Sequence, residues 1–248
     1  MQPYGLRPGG GPAVQVYDVR TGALLQSFFA YDPSFRSGVN VGSGDVNGDG
    51  FSDIVTGAGS GGGPHVKVLS GKDGTTLFSF FAYDPSFTGG VRVAAGDVNG
   101  GGKADIITGA GGGGSAHVKV FDGANLNVIY SLFAYDFGLR DGVFVAAGDV
   151  DGDGFSDILT GAGGGGSAHV KVFSGTNAGE IRSFFAFPSN GRDGVSVGAV
   201  DRNNDGKSEI LAGSGMNVPA QIKVFNPTNS QEESAFTDVS FTGGVYVG

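Results

Sequence analysis

A chain of 248 residues with 50 glycines, 20 phenylalanines and no cysteine is long enough for one large domain or two small ones. Apolar residues make up 39 % of it, enough for a core, and the net charge of −9 argues against nucleic acid or anionic membrane as partners. Disulfides and thiolate metal sites are excluded, and no run of about 18 apolar residues offers a transmembrane helix.

The opening MQPYGLRPGG has neither the basic nor the apolar region of a secretory signal, which leaves a protein that stays inside or the mature part of a longer chain. Short predicted strands follow. VQV at 14–16 precedes SFFAYDPSF at 27–35, and VNV at 39–41 leads into the acidic stretch GDVNGDGFSDI at 44–54. A glycine-rich turn, GAGSGGG, then leads to HVKV at 65–68. The whole phrase repeats every 52 residues: VKV returns at 66, 118 and 170 and IKV at 222, and the acidic loops begin at Asp45, Asp97, Asp149 and Asp201. The glycines are therefore periodic, which excludes the disorder that such a content would indicate in a patternless chain.

Each unit reads as four short strands rich in Val, Ile and Phe, bounded by Gly and Asp turns, with no helical period in any window. Four-stranded units of this length in tandem predict an all-β fold, a five-bladed β-propeller of antiparallel blades forming one domain over 1–248. The outer strand SFFAY is bulky on both faces, as expected of a sheet sandwiched between two others. The innermost strand type occurs at 39–41, 91–93, 143–145, 195–197 and 245–247, the last copy two residues early. Met1 aligns with Asp53, so the chain enters at a second strand. The closing blade is expected to combine about 1–30 with 244–248, pairing edges that would otherwise invite association. A fragment of a larger propeller and a domain-swapped assembly fit the same count.

The acidic loops follow D-x-[DN]-x-D-G-x-x-[DE]. Calcium takes six to eight hard oxygens, and positions 1, 3 and 5 of a tight turn supply them from one concave side. Those positions are Asp45, Asn47 and Asp49; Asp97 and Asn99; Asp149, Asp151 and Asp153; and Asp201, Asn203 and Asp205. Position 7 offers a carbonyl from Phe51, Lys103, Phe155 or Lys207, and position 9 a further carboxylate from Asp53, Asp105, Asp157 or Glu209. An EF-hand would place Glu at position 12, where this chain has Thr56, Thr108, Thr160 and Ala212. About four Ca²⁺ sites are expected, the third tightest and the second weakest, because Gly101 replaces an aspartate there. Solvated Asp/Asn/Gly turns are the plain alternative. Against it, the loops hold half of the 24 acidic residues, and clustered like charges repel unless a cation intervenes.

The phrase V-x-V-x-x-GDVDGDGFSDILTGAG at 143–163 resembles the FG-GAP repeat of integrin α-subunit propellers and the VCBS-type repeats of large bacterial surface and secreted proteins. The resemblance covers nearly the whole chain. It implies a calcium-stabilised propeller, usually outside the cytoplasm, serving adhesion, ligand binding or scaffolding, or acting as an accessory to secreted enzymes. This chain departs from integrins in having five units rather than seven blades and only four acidic loops, so ligand specificity does not carry over.

An enzyme is not expected. His65, His117 and His169 share one phase of the repeat, whereas a catalytic histidine works beside distinct partners. GAGSGG and GAGGGG match G-x-G-x-x-G, but a strand follows where a dinucleotide site needs a helix. The outer-to-inner connectors carry Tyr31 and Asp32, Tyr83 and Asp84, and Tyr135 and Asp136, candidates for a sugar or peptide ligand. For the nearby Phe35 and Phe87 the alternative is a wedge between blades. The expected partner is a protein or carbohydrate, with no nucleic acid, no membrane insertion and a monomeric, extracellular state. A lectin is the alternative reading.

Overall fold

The computed structural model describes residues 2–5, 11–188, 191–216, 218–241 and 244–247. The first sheet holds β1 (Gln2–Gly5), β2 (Ala13–Tyr17) and β3 (Leu24–Phe29). Blade 1 follows, with β4 (Val39–Gly44), β5 (Asp53–Ala58), β6 (His65–Leu69) and β7 (Thr76–Phe81). Blade 2 holds β8 (Val91–Gly96), β9 (Asp105–Ala110), β10 (His117–Phe121) and β11 (Val128–Phe133). Blade 3 holds β12 (Val143–Gly148), β13 (Asp157–Ala162), β14 (His169–Phe173) and β15 (Glu180–Phe185). Blade 4 holds β16 (Val195–Val200), β17 (Glu209–Ser214), β18 (Ala220–Phe225) and β19 (Glu232–Asp238). Every pairing joins consecutive strands, and all are antiparallel. This is the five-bladed propeller that the repeat predicts.

The first sheet is the fifth blade, entered at its second strand. β1 pairs with β2 from Gln2↔Tyr17 to Gly5↔Val14, the register that β5 keeps with β6 from Ile54↔Leu69 to Gly57↔Val66. The C-terminal segment takes the inner place beside blade 4. A Cβ on Gly213 would meet the Val245 carbonyl oxygen, as one on Gly57 would meet that of Val91. No ladder between 245–247 and β1 appears among the described residues.

The core lies between blades. Val55, Val66 and Val68 of blade 1 pack on Val91, Ile106 and Phe121 of blade 2, and equivalent clusters fill the 2–3, 3–4 and 5–1 seams. The 4–5 seam is looser: Ile222 and Val224 are half-buried where Val66 and Val68 are buried. The outer strands depart from the expectation of burial on both faces. Phe80 is half-buried against the neighbouring blade, while Phe81 is 51 % exposed and lies on the His65 ring. Radiating, twisted sheets separate with distance from the axis, so an outer strand reaches its neighbour with alternate residues only.

At the axis the repeat breaks. Equivalent inner-strand positions carry Asn40, Arg92, Phe144 and Ser196. The Arg92 guanidinium stacks 3.8 Å from the centroid of Phe144, whose ring meets Tyr246 at 5.4 Å. Burial holds the Arg92 pKa down to about 10.

Candidate metal centre

Each acidic loop joins the first and second strands of a blade and winds around its first carboxylate. Asp45 Oδ1 accepts the Gly48 and Asp49 N–H groups at 2.7 and 3.0 Å, and its Oδ2 accepts that of Gly50 at 2.8 Å. Asp97, Asp149 and Asp201 make the same bond to Gly102, Gly154 and Gly206. Those position-6 glycines have φ of +74 to +88°, a left-handed conformation that a side chain disfavours. Position 3 accepts the N–H of position 5, as in Asn47 Oδ1 to Asp49 N at 2.8 Å and Asp151 Oδ1 to Asp153 N at 3.1 Å. Position 5, where it is Asp, accepts the N–H of position 7, at Phe51, Phe155 and Lys207.

The position-9 carboxylates are buried and tie the loop to a second turn. Asp53 Oδ2 accepts the Val46 and Asn47 N–H groups, and its Oδ1 accepts Gly71 N–H at 3.0 Å. Asp105 and Asp157 repeat this with Gly123 and Gly175. Burial raises the pKa of Asp53 and Asp105. It lifts that of Asp157 to about 6, with the charge on Asp151 adding to the effect. Glu209, one methylene longer, accepts Arg202 N–H at 2.7 Å.

The loops differ in what faces the carboxylates. In the third, Asp149, Asp151 and Asp153 bring three carboxylate oxygens within 4.8 Å of one another, the only such group among the described residues. In the second and fourth an asparagine amide lies among the acids instead. Asn99 Nδ2 donates to Asp105 at 3.2 Å and to Asp122 at 3.3 Å, and Asn203 Nδ2 donates to Asp205 and Glu209 at 3.0 Å. Each amide oxygen accepts a loop N–H, which fixes its nitrogen toward the acids. The third loop therefore gathers anionic oxygens alone, the kind of hard donor that calcium takes. The first shares its frame with one neutral ligand.

The sequence reading left out Gly71, Gly123 and Gly175, whose N–H groups hold the position-9 acids, and Asp122. The glycines recur every 52 residues, a signal that was present in the chain. A Cβ on Gly71 would run into the Ser52 carbonyl oxygen, so only glycine fits.

On the opposite face the connector tyrosines are internal. The Tyr31 hydroxyl donates to Thr56 O and His65 O at 3.1 and 2.8 Å, joining blade 5 to blade 1. Tyr83 and Tyr135 make the same links from blade 1 to 2 and from 2 to 3, and burial raises all three pKa values. Asp32 and Asp84 accept the N–H and hydroxyl of Ser34 and Ser86. Asp136 follows Tyr135 at the same connector position, where its carbonyl accepts Leu139 N–H at 3.0 Å. The histidines bond Ser79, Ser131 and Ser183 at 2.9 Å.

Three comparisons bear on this geometry. No curated protein sequence matches the chain. Among solved structures, a Bacteroides caccae protein of unknown function overlays with a TM-score of 0.57 at 10 % identity, covering 95 % of this chain and 72 % of that one. The rhamnogalacturonan lyase YesW gives 0.48 at 13 % identity, covering 95 % and 59 %. The V. cholerae biofilm matrix protein Bap1 gives 0.49 at 18 %, covering 96 % and 35 %. This chain thus spans well under two thirds of the length of the last two. At such identities the likeness concerns the fold alone. The FG-GAP repeat model matches residues 37–75 and 142–183, each running from an inner strand through an acidic loop. Two stretches of this five-bladed propeller, each carrying an inner strand and an acidic loop, thus match the FG-GAP repeat.

Proposed function

We propose that this propeller is a calcium-binding module that serves binding or scaffolding outside the cell, without catalysis of its own. The observation that carries the reading is the Asp149–Asp151–Asp153 group, three carboxylate oxygens converging within 4.8 Å on a loop whose frame recurs around the ring. A bound calcium ion would supply positive charge among acids that otherwise repel. Residues 149–157 would hold it in the third loop, with 45–53, 97–105 and 201–209 as the weaker counterparts. Shallow loops of this kind suit the millimolar calcium of extracellular fluids. No helix among the described residues is long and apolar enough to cross a membrane. The non-catalytic reading is supported by the histidines, each one held by a serine and an aromatic ring in the same way.

The test is calorimetric titration of chelator-stripped protein with CaCl₂, paired with thermal melts in calcium and in EGTA. Ligand bound only by the folded state stabilises it by about 2.7 kcal/mol per site at a hundred-fold excess over Kd. A melting temperature lower by several degrees in EGTA is expected. Identical midpoints and no binding heat would refute the reading.

A further inference from the structure

The inner strands differ at their second residue, and two of those residues bond the next strand around the axis. Asn40 Nδ2 donates to the Val91 carbonyl at 2.8 Å, and Ser196 Oγ donates to that of Val245 at 2.7 Å. Arg92 stands at the same place in β8 and forms no hydrogen bond or ion pair with any described residue. Its Nη1 is sealed from solvent without a partner, although the residue as a whole is only half-buried. A sealed, unpaired donor destabilises a fold, and more so when it carries charge. The small polar residues at 40 and 196 avoid that penalty, so packing does not account for an arginine here.

The guanidinium is held in a defined plane. Phe144 covers one face with its ring centroid at 3.8 Å, and Tyr246, 5.4 Å from the Phe144 ring and 52 % exposed, extends the aromatic wall. Stacking uses the face of a guanidinium and leaves its N–H edges, where two parallel donors match the two oxygens of a carboxylate. With a pKa of about 10, lowered by burial, the group is still a cation at neutral pH. Asp141, exposed on the connector into β12, acts on it electrostatically without forming an ion pair. That nearby negative charge disfavours a second one, so a monovalent anion suits the place better than a phosphate.

We propose that Arg92 receives a small organic monocarboxylate at the propeller axis, its oxygens in the guanidinium plane and its carbon chain against the Phe144–Tyr246 wall. The inference adds a ligand class to the binding-module reading and does not depend on calcium. Arg92 lies near the start of β8, whereas the acidic loop follows the end of that strand.

The probe is sodium propionate, titrated into ¹⁵N-labelled protein in calcium buffer with ionic strength held constant by NaCl. Saturable shifts of the Arg92 Nε–H and the Tyr246 amide are expected. They should be absent with propionamide, and binding read at Tyr246 should weaken at least ten-fold in Arg92→Asn. That variant can bond the Val143 carbonyl as Asn40 bonds that of Val91, so it should melt no lower than the wild type. If it fails to fold, Arg92→Lys keeps the charge but loses the paired edge, and should also weaken binding. N-acetylglycylglycine presents the same group as a peptide terminus; binding of either acid supports the site, and the tighter of the two identifies the source. The proposal is overturned if tens of millimolar of both acids leave those resonances unmoved, or if propionamide or phosphate binds as well as propionate. It is also overturned if either Arg92 variant binds propionate as the wild type does. Calcium titration of the same samples reads the loops separately, so one reading can fail without the other.

Discussion

Tyr83 donates its hydroxyl toward two carbonyls of the next blade, Thr108 O at 3.0 Å and His117 O at 2.8 Å. Lys119 Nζ crosses the same seam to Ala82 O at 3.0 Å. Removing the hydroxyl leaves buried acceptors unpaired, so Tyr83→Phe should cost about 1–2 kcal/mol. For a chain of this size that is roughly 2–8 °C in melting temperature by calorimetry. A change below 1 °C would mean that apolar packing alone sets the seam. The histidines make a second prediction. Burial, with Lys67, Lys119 or Lys171 nearby, lowers all three pKa values, and Glu180 partly opposes this at His169. A histidine whose folded pKa is lowered binds fewer protons folded than unfolded. Its contribution is therefore fully present above the ordinary value near 6.5 and is lost as pH falls through the lowered one. As pH falls from 7 toward 5 the histidines should lower the melting temperature, while the buried acids Asp53, Asp105 and Asp157, whose folded pKa values are raised, act in the opposite sense. The melting temperature should decline less in a triple His→Gln variant, for which Gln221 is the precedent at the same phase; parallel profiles would remove the histidines from the account.

At the scale of the loop, affinity should follow the number of anions and the absence of a competing amide. Replacing Gly101 by Asp supplies the missing position-5 ligand, and its Cβ would meet only the movable Asn99 side chain, at 2.7 Å. Gly101→Asp should tighten the second calcium site at least ten-fold. Asp151→Asn should weaken the third by a similar factor. Site-resolved calcium titration by NMR checks both, and an unchanged order of filling would show that loop charge does not rank the sites. That the third loop gathers the most carboxylates was legible in the sequence, where four stand at the right spacing. That Asn99 and Asn203 point their amide nitrogens at the acids was not. Spacing places an asparagine, but only the surrounding N–H groups decide which end of it faces inward.

For the whole molecule the weak point is the 4–5 seam. Val245 N–H donates to Ser214 O at 2.9 Å, and Val245 O accepts Ser196 Oγ at 2.7 Å, so four described residues cover the open side of blade 4. Deleting residues 244–248 should lower the melting temperature, speed amide exchange along β16 and β17, and promote association through the bared edge. Light scattering and hydrogen exchange would show this; an unaffected monomer would mean that the ring does not depend on the segment.

The 52-residue repeat by itself determined the number of blades, the register of the chain's entry and the position of every acidic loop, because strands, turns and capping acids are specified by near neighbours in the chain. The tertiary structure alone decided that tyrosine hydroxyls bond the next blade and that outer strands are half-bare. Each of those depends on side chains from different strands meeting in space, where the volume left over is set by both partners and is written in neither one alone.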